Sequence, residues 1–198
     1  MTFRASVVLC VVFCCQSVIV PAYADPVNPS RVVDASTYSA GGDFKVDSGQ
    51  TVVVDFSHAP QGLQVGGNIV NNGTLFAVST NAQQNYANFL ASNITNGTGA
   101  VFTTNLPASG IDGFASAIAN LNLSLSAVNN IVNQGVLSSA GSLSMTAGGS
   151  ISNVLPQGVA GLTPVMQAIN TMNLNAAGLV NSGLITANTG NINILSQL

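Results

Sequence analysis

Residues 131–145 read Ile131-Val132-Asn133-Gln134-Gly135-Val136-Leu137-Ser138-Ser139-Ala140-Gly141-Ser142-Leu143-Ser144-Met145. Apolar and polar side chains alternate on either side of a glycine corner, the period of strands with one buried face. Ile151-Ser152-Asn153 repeats the opening Ile131-Val132-Asn133 after 20 residues, the length of one coil of a solenoid. Further out, Ile69-Val70-Asn71-Asn72-Gly73 and Leu179-Val180-Asn181-Ser182-Gly183 carry the full apolar-x-Asn-x-Gly unit, and Ile94-Thr95-Asn96-Gly97 a shortened copy. The repeat predicts an all-β chain coiled as a parallel β-helix, in which equivalent residues of successive coils stack.

Such stacking assigns roles. Asn71, Asn133, Asn153 and Asn181 fall at corners, where their amides can bond one another or the turn backbone. Gly73, Gly135 and Gly183, with Gly141, Gly148 and Gly149, turn the chain, and positive φ is the expected reason for glycine there. The predicted core is aliphatic and continuous, with Leu123, Leu125, Ile131, Leu137, Leu143, Met145, Ile151, Leu174, Leu179, Ile185, Ile192 and Ile194 inward.

A longer duplication, 106–146 against 155–196, contains these short units. Leu106-Pro107 matches Leu155-Pro156, Gly110 and Gly113 match Gly158 and Gly161, and Asn122-Leu123 matches Asn173-Leu174. Leu162, Val165, Met166, Ile169 and Met172 follow a period near 3.6, with Thr163 placed to cap and Pro164 at a first helical position. Short helical inserts are therefore expected there, at 82–90 and at 113–120. Residues 25–62 hold Arg31, Lys45, five of the six Asp and His58, and within them Phe44-Lys45-Val46 and Thr51-Val52-Val53-Val54-Asp55-Phe56 read as strands around the turn Asp47-Ser48-Gly49. This section is expected to cap repeats that occupy 63–198.

Charge narrows the function. Of 198 residues 5% are charged, there is no Glu, and no ionisable side chain follows Asp112. That half holds no group suited to acid–base catalysis, and the chain has no cluster of Lys and Arg for phosphate, so neither an enzyme nor a nucleic-acid binder is expected. Asp55, Ser57 and His58 supply the residue types of a hydrolase triad, but near neighbours on one strand point to alternate faces. Asp43 and Asp47 are too few for a calcium loop, so no metal or other cofactor is expected.

Arg4 precedes an uncharged run from Ala5 to Val20 that closes at Pro21-Ala22-Tyr23-Ala24, the pattern of a secretory signal peptide over 1–24. Cleavage after Ala24 removes Cys10, Cys14 and Cys15, leaving a secreted chain without disulfide or membrane span.

The runs 130–148 and 178–194 resemble the repeats of filamentous haemagglutinin-like proteins. The resemblance implies a right-handed parallel β-helix, export to the surface of a Gram-negative bacterium and a role in adhesion. The reading is thus a secreted, adhesin-like protein whose partner is a glycan or protein on a cell surface. Two alternatives stand beside it: a self-assembling extracellular fibre, favoured by Asn and Gly stacking, and a β-helical polysaccharide-degrading enzyme. The repeat runs to Ile192-Asn193-Ile194-Leu195 with no polar cap, which predicts an open edge for self-association or a fragment of a longer adhesin.

Overall fold

A computed structural model describes residues 25–39 and 41–196. The expected signal segment, with its three cysteines, lies outside the described residues. Among the described residues seventeen strands follow one another in a fixed order. The chain begins with β1 (Arg31–Asp34) and β2 (Phe44–Val46), then runs through β3 (Thr51–Asp55), β4 (Leu63–Gln64) and β5 (Ile69–Asn71). Next come β6 (Thr74–Val78), β7 (Tyr86–Ala91) and β8 (Ile94–Asn96), then β9 (Val101–Thr103), β10 (Asn122–Ala127) and β11 (Ile131–Asn133). From β12 (Val136–Ser139) the pattern tightens into β13 (Leu143–Asn153), β14 (Val165–Ala168), β15 (Met172–Asn181), β16 (Leu184–Ala187) and β17 (Ile192–Ser196).

All strand pairings among the described residues are parallel. One sheet of seven strands has the order β1-β3-β6-β9-β12-β14-β16. The other runs β2-β5-β8-β11-β13-β10-β7-β4, with β15 beside β13 and β17 beside β15. Its two arms meet in β13, whose first half pairs β10 and whose second half pairs β11. The chain therefore visits three files of strands in rotation, and each circuit lays one level on the last. Register holds along a file: Ile69 pairs Ile94, Ile94 pairs Ile131, Ile131 pairs Ile151, and Ile151 pairs Leu179.

This register puts every second side chain inside. Leu123, Leu125, Ile131, Leu137, Leu143, Met145, Ile151 and Leu174 are buried in one continuous cluster, while Leu179 and Ile185 pack against its margin. Ile192 and Ile194 depart from expectation. They align with buried Met172 and Leu174 but are 40% and 51% exposed, because β17 has a neighbour on one side only. Nor is the core purely aliphatic: Phe56, Phe89 and Phe102 meet edge to face at 5.0 and 4.8 Å within the early levels.

The described residues contain no helix. The stretch expected to be helical at 162–172 is instead β14 and the start of β15, with Val165–Ala168 paired to β12 on one side and β16 on the other. Met166 and Ala168 point inward at period 2, and Leu162 and Ile169 are exposed. Two full strand partners outweigh a helical period carried by so few residues. Tyr86–Ala91 is likewise the strand β7, and 113–120 is a succession of turns. No helix among the described residues is long and apolar enough to cross a membrane.

Loop length varies while the levels stay in step. The excursion 104–121 folds back over the outer face of the seven-stranded sheet, where Ile111 joins Val53 and Val78 in a second small core flanked by Phe76 and Phe114. Val27 pairs with Ile111, which ties the first described residues to this excursion. Gly110 and Gly113 adopt φ of 75° and 79°, and their duplicates Gly158 and Gly161 φ of 85° and 81°, so both copies of the motif make glycine-dependent turns.

Candidate functional site

The repeated asparagines meet inside the stack. Nδ2 of Asn71 donates to Oδ1 of Asn96, Asn96 to Asn133, Asn133 to Asn153 and Asn153 to Asn181, each at 2.8 Å. Asn71, Asn96, Asn133 and Asn153 are buried, and Asn181 is exposed. Each buried amide also donates to the backbone of the seven-stranded sheet in the level it faces, at Val101, Val136, Val165 and Leu184 in turn. Oδ1 of Asn71, Asn133 and Asn181 accepts from the N–H of Gly73, Gly135 and Gly183 two residues on. The ladder thus laces the Asn-bearing file to the neighbouring sheet. Among the described residues no buried side-chain nitrogen or oxygen lacks a partner, which a polar row in a dry interior requires.

The glycines of these corners act for a different reason than expected. Gly73, Gly135, Gly183, Gly141, Gly148 and Gly149 all lie outside positive φ. What demands glycine is proximity: a Cβ on Gly135 would stand 2.2 Å from the Ala100 carbonyl oxygen, and one on Gly183 2.1 Å from that of Pro164. The backbone of one level presses on the level beside it, and only hydrogen fits between.

A second file of Asx residues escaped the sequence reading. Asn68 donates to Oδ1 of Asp43 from its backbone N–H and its amide, Asn93 Nδ2 donates to Asn68 Oδ1, and the N–H groups of Asn130 and Ser150 donate to Asn93 and Asn130. Its signal is present one place before the apolar dyads, in Asp43-Phe44, Asn68-Ile69, Asn93-Ile94 and Asn130-Ile131. Asp43 ends this file as a carboxylate. The Asn68 N–H holds its pKa below the usual range, helped by the Asn68 amide and by Lys45, whose Nζ lies 3.5 Å away.

The Asp55, Ser57 and His58 trio does not converge. Ser57 Oγ donates to Asp55 Oδ1 and lies 2.9 Å from Thr80 Oγ1, while His58 points into an open cleft beside Tyr38 and Gln61. The carboxylate therefore grips the hydroxyl as part of a turn. Asp34 forms a similar turn, its carboxylate accepting from the hydroxyl and N–H of Ser36, and both bonds lower its pKa. Arg31 lies 5.1 Å over the Phe44 ring, which Tyr38 meets edge-on at 5.4 Å, and this cluster covers the first level of the core.

Against known proteins, no family model, no curated protein and no solved structure matches the chain.

Proposed function

We propose that the chain is a right-handed parallel β-helix of the filamentous haemagglutinin-like kind, exported and displayed at a bacterial surface as an attachment protein. The observation that carries the reading is the in-register parallel stacking of apolar-x-Asn units at Ile69, Ile94, Ile131, Ile151 and Leu179. Right-handedness follows from chain chirality, since about 98% of crossovers between parallel strands of one sheet take that hand. Binding is favoured over catalysis because the levels after Asp112 hold no ionisable side chain.

Displaying the full chain on a non-adherent bacterium tests the function. Increased attachment to cells or matrix is expected, and attachment equal to the parent strain overturns it. N-terminal sequencing of the exported protein tests the route, with Asp25 as the expected first residue.

A second reading, self-association, draws on the exposed β16 and β17. Leu184, Ile192, Ile194 and Leu195 stand open there beside backbone groups able to accept another parallel strand. Sedimentation across a concentration series tests it; a constant monomer overturns it.

A further inference from the structure

Two depressions adjoin at one residue. The first, of about 470 Å³, lies between the segment after β1 and the turn before β4, where Tyr38, His58, Gln61 and Gln64 face it. The second, of about 480 Å³, continues from Gln64 across Leu90 to Ser126 on the outward side of β7 and β10. Together they form a trough that starts at the first level and runs across the next two.

We propose that this trough binds a neutral, hydroxyl-rich oligosaccharide, its end in the Tyr38–Gln61 cleft and its length along Gln64, Leu90 and Ser126. The inference rests on the attachment reading and names the chemistry of the ligand.

The lining selects that chemistry. No Asp, Glu, Lys or Arg borders either depression, whereas a third one nearby is bordered by Arg31, Asp43, Lys45 and Asp47. A phosphate or carboxylate ligand would need cations the trough lacks. Primary amides offer a donor and an acceptor side by side, matching adjacent hydroxyls, and the aromatic and aliphatic surfaces of Tyr38 and Leu90 suit the C–H faces of a sugar ring. These groups are uncommitted: among the described residues the side chains of Tyr38, His58, Gln61, Gln64 and Ser126 make no hydrogen bond. The amides of the ladder from Asn71 to Asn181, by contrast, are all bonded.

The cleft is also braced. Gly62, at φ 78°, closes the turn carrying His58 and Gln61 by donating to the Ala59 carbonyl, and Gln84 Nε2 donates to the same oxygen. A Cβ on Gly62 would fall 2.5 Å from the Asn88 carbonyl oxygen, so the turn sits directly on β7. A wall held this way needs little ordering when ligand arrives.

Titration calorimetry of the full exported chain with cellohexaose, maltohexaose, mannohexaose and hexagalacturonate tests the proposal. At least one neutral hexaose is expected to bind independently of salt. Gln61→Ala and Gln64→Ala, both at exposed positions, should each weaken binding about tenfold, the loss of about one good hydrogen bond. No binding by any neutral hexaose, preference for hexagalacturonate, unchanged affinity in both variants, or an extended peptide held along β4 in place of sugar would overturn it. Attachment assays on the same variants separate the two readings. Attachment that persists without sugar binding overturns the trough alone, and sugar binding without attachment overturns the adhesin alone.

Discussion

Ile111 and Val159 each follow the first glycine of a duplicated turn, yet Ile111 is 3% exposed and Val159 37%. The difference lies in what the two excursions fold against. The first reaches Val53, Phe76 and Val78 on the outer face of the seven-stranded sheet; the second leaves both Val159 and Leu162 in solvent. Ile111→Ala should therefore cost about 2–3 kcal/mol in urea denaturation, as buried aliphatic truncations do. Val159→Ala should stay within about 0.5 kcal/mol of the parent. Equal effects would mean that the first excursion does not rest on the sheet.

Asn133 sits mid-ladder, accepting from Asn96 and donating to Asn153 and to the Val165 carbonyl. Asn133→Ala takes the donor from Asn153 Oδ1 and the acceptor from the Gly135 N–H, two buried groups left without a partner at about 1–3 kcal/mol each. Asn181→Ala removes an exposed rung and should cost about 1 kcal/mol or less. Chemical denaturation of both variants ranks them, and the opposite order would refute the ladder's part in stability.

Two glycines distinguish crowding from conformational freedom. Gly135→Ala drives a methyl into the Ala100 and Gly97 carbonyls and should lower the melting temperature by several degrees, about 2 kcal/mol or more for a clash with backbone. Gly178 has open space where its Cβ would stand and lies outside positive φ. Gly178→Ala should leave stability unchanged or raise it by about 0.4–1 kcal/mol by narrowing the unfolded ensemble. Thermal melts followed by circular dichroism decide both.

Acid should act first on the early levels. The carboxyls of Asp34 and Asp43 are held below their usual values by Ser36 and Asn68 donors. A depressed folded-state pKa contributes stability that is present above the unfolded value, near pH 3.9, and is lost as pH falls through the lower folded one. The contribution is therefore complete at neutral pH and fades below about pH 4. Amide exchange at Ser36 and Asn68 should quicken over that window, after correction for intrinsic rates. In the Asp34→Asn/Asp43→Asn variant this extra pH dependence should disappear; if it remains, other groups carry it.

The strands at Phe44–Val46 and from Thr51 were legible because alternation and the Asp47-Ser48-Gly49 turn agree, and Gly49 takes φ 78° in that turn. The Asn positions were legible because their spacer-and-glycine frame repeats. Strand β14 was not, since its inward pair, Met166 and Ala168, includes a residue too small to mark a face. Ala77, Ala87, Ala127 and Ala147 hide other inward positions in the same way. The true reason for Gly135 was hidden too: it depends on which carbonyl the neighbouring level brings near. The trough had no local signature, because Tyr38, Gln64, Leu90 and Ser126 come together only through the register of β4, β7 and β10.

The side-chain ladder crosses separations of 25, 37, 20 and 28 residues with the same 2.8 Å link, so each level grips its neighbours in the same manner whatever chain length lies between. Backbone and amide bonds both join level to level. Drawn out by force from its later end, the chain therefore sheds the levels after Val136 one at a time, since each of these is held by those beside it, whereas the excursion 104–121 ties its own level to Val27, Val53 and Val78. It lengthens in steps whose size is set by the residues each level stores: the level with the excursion 104–121 releases the longest thread, and the level opened by Val165, whose equivalent Leu184 follows soonest, the shortest.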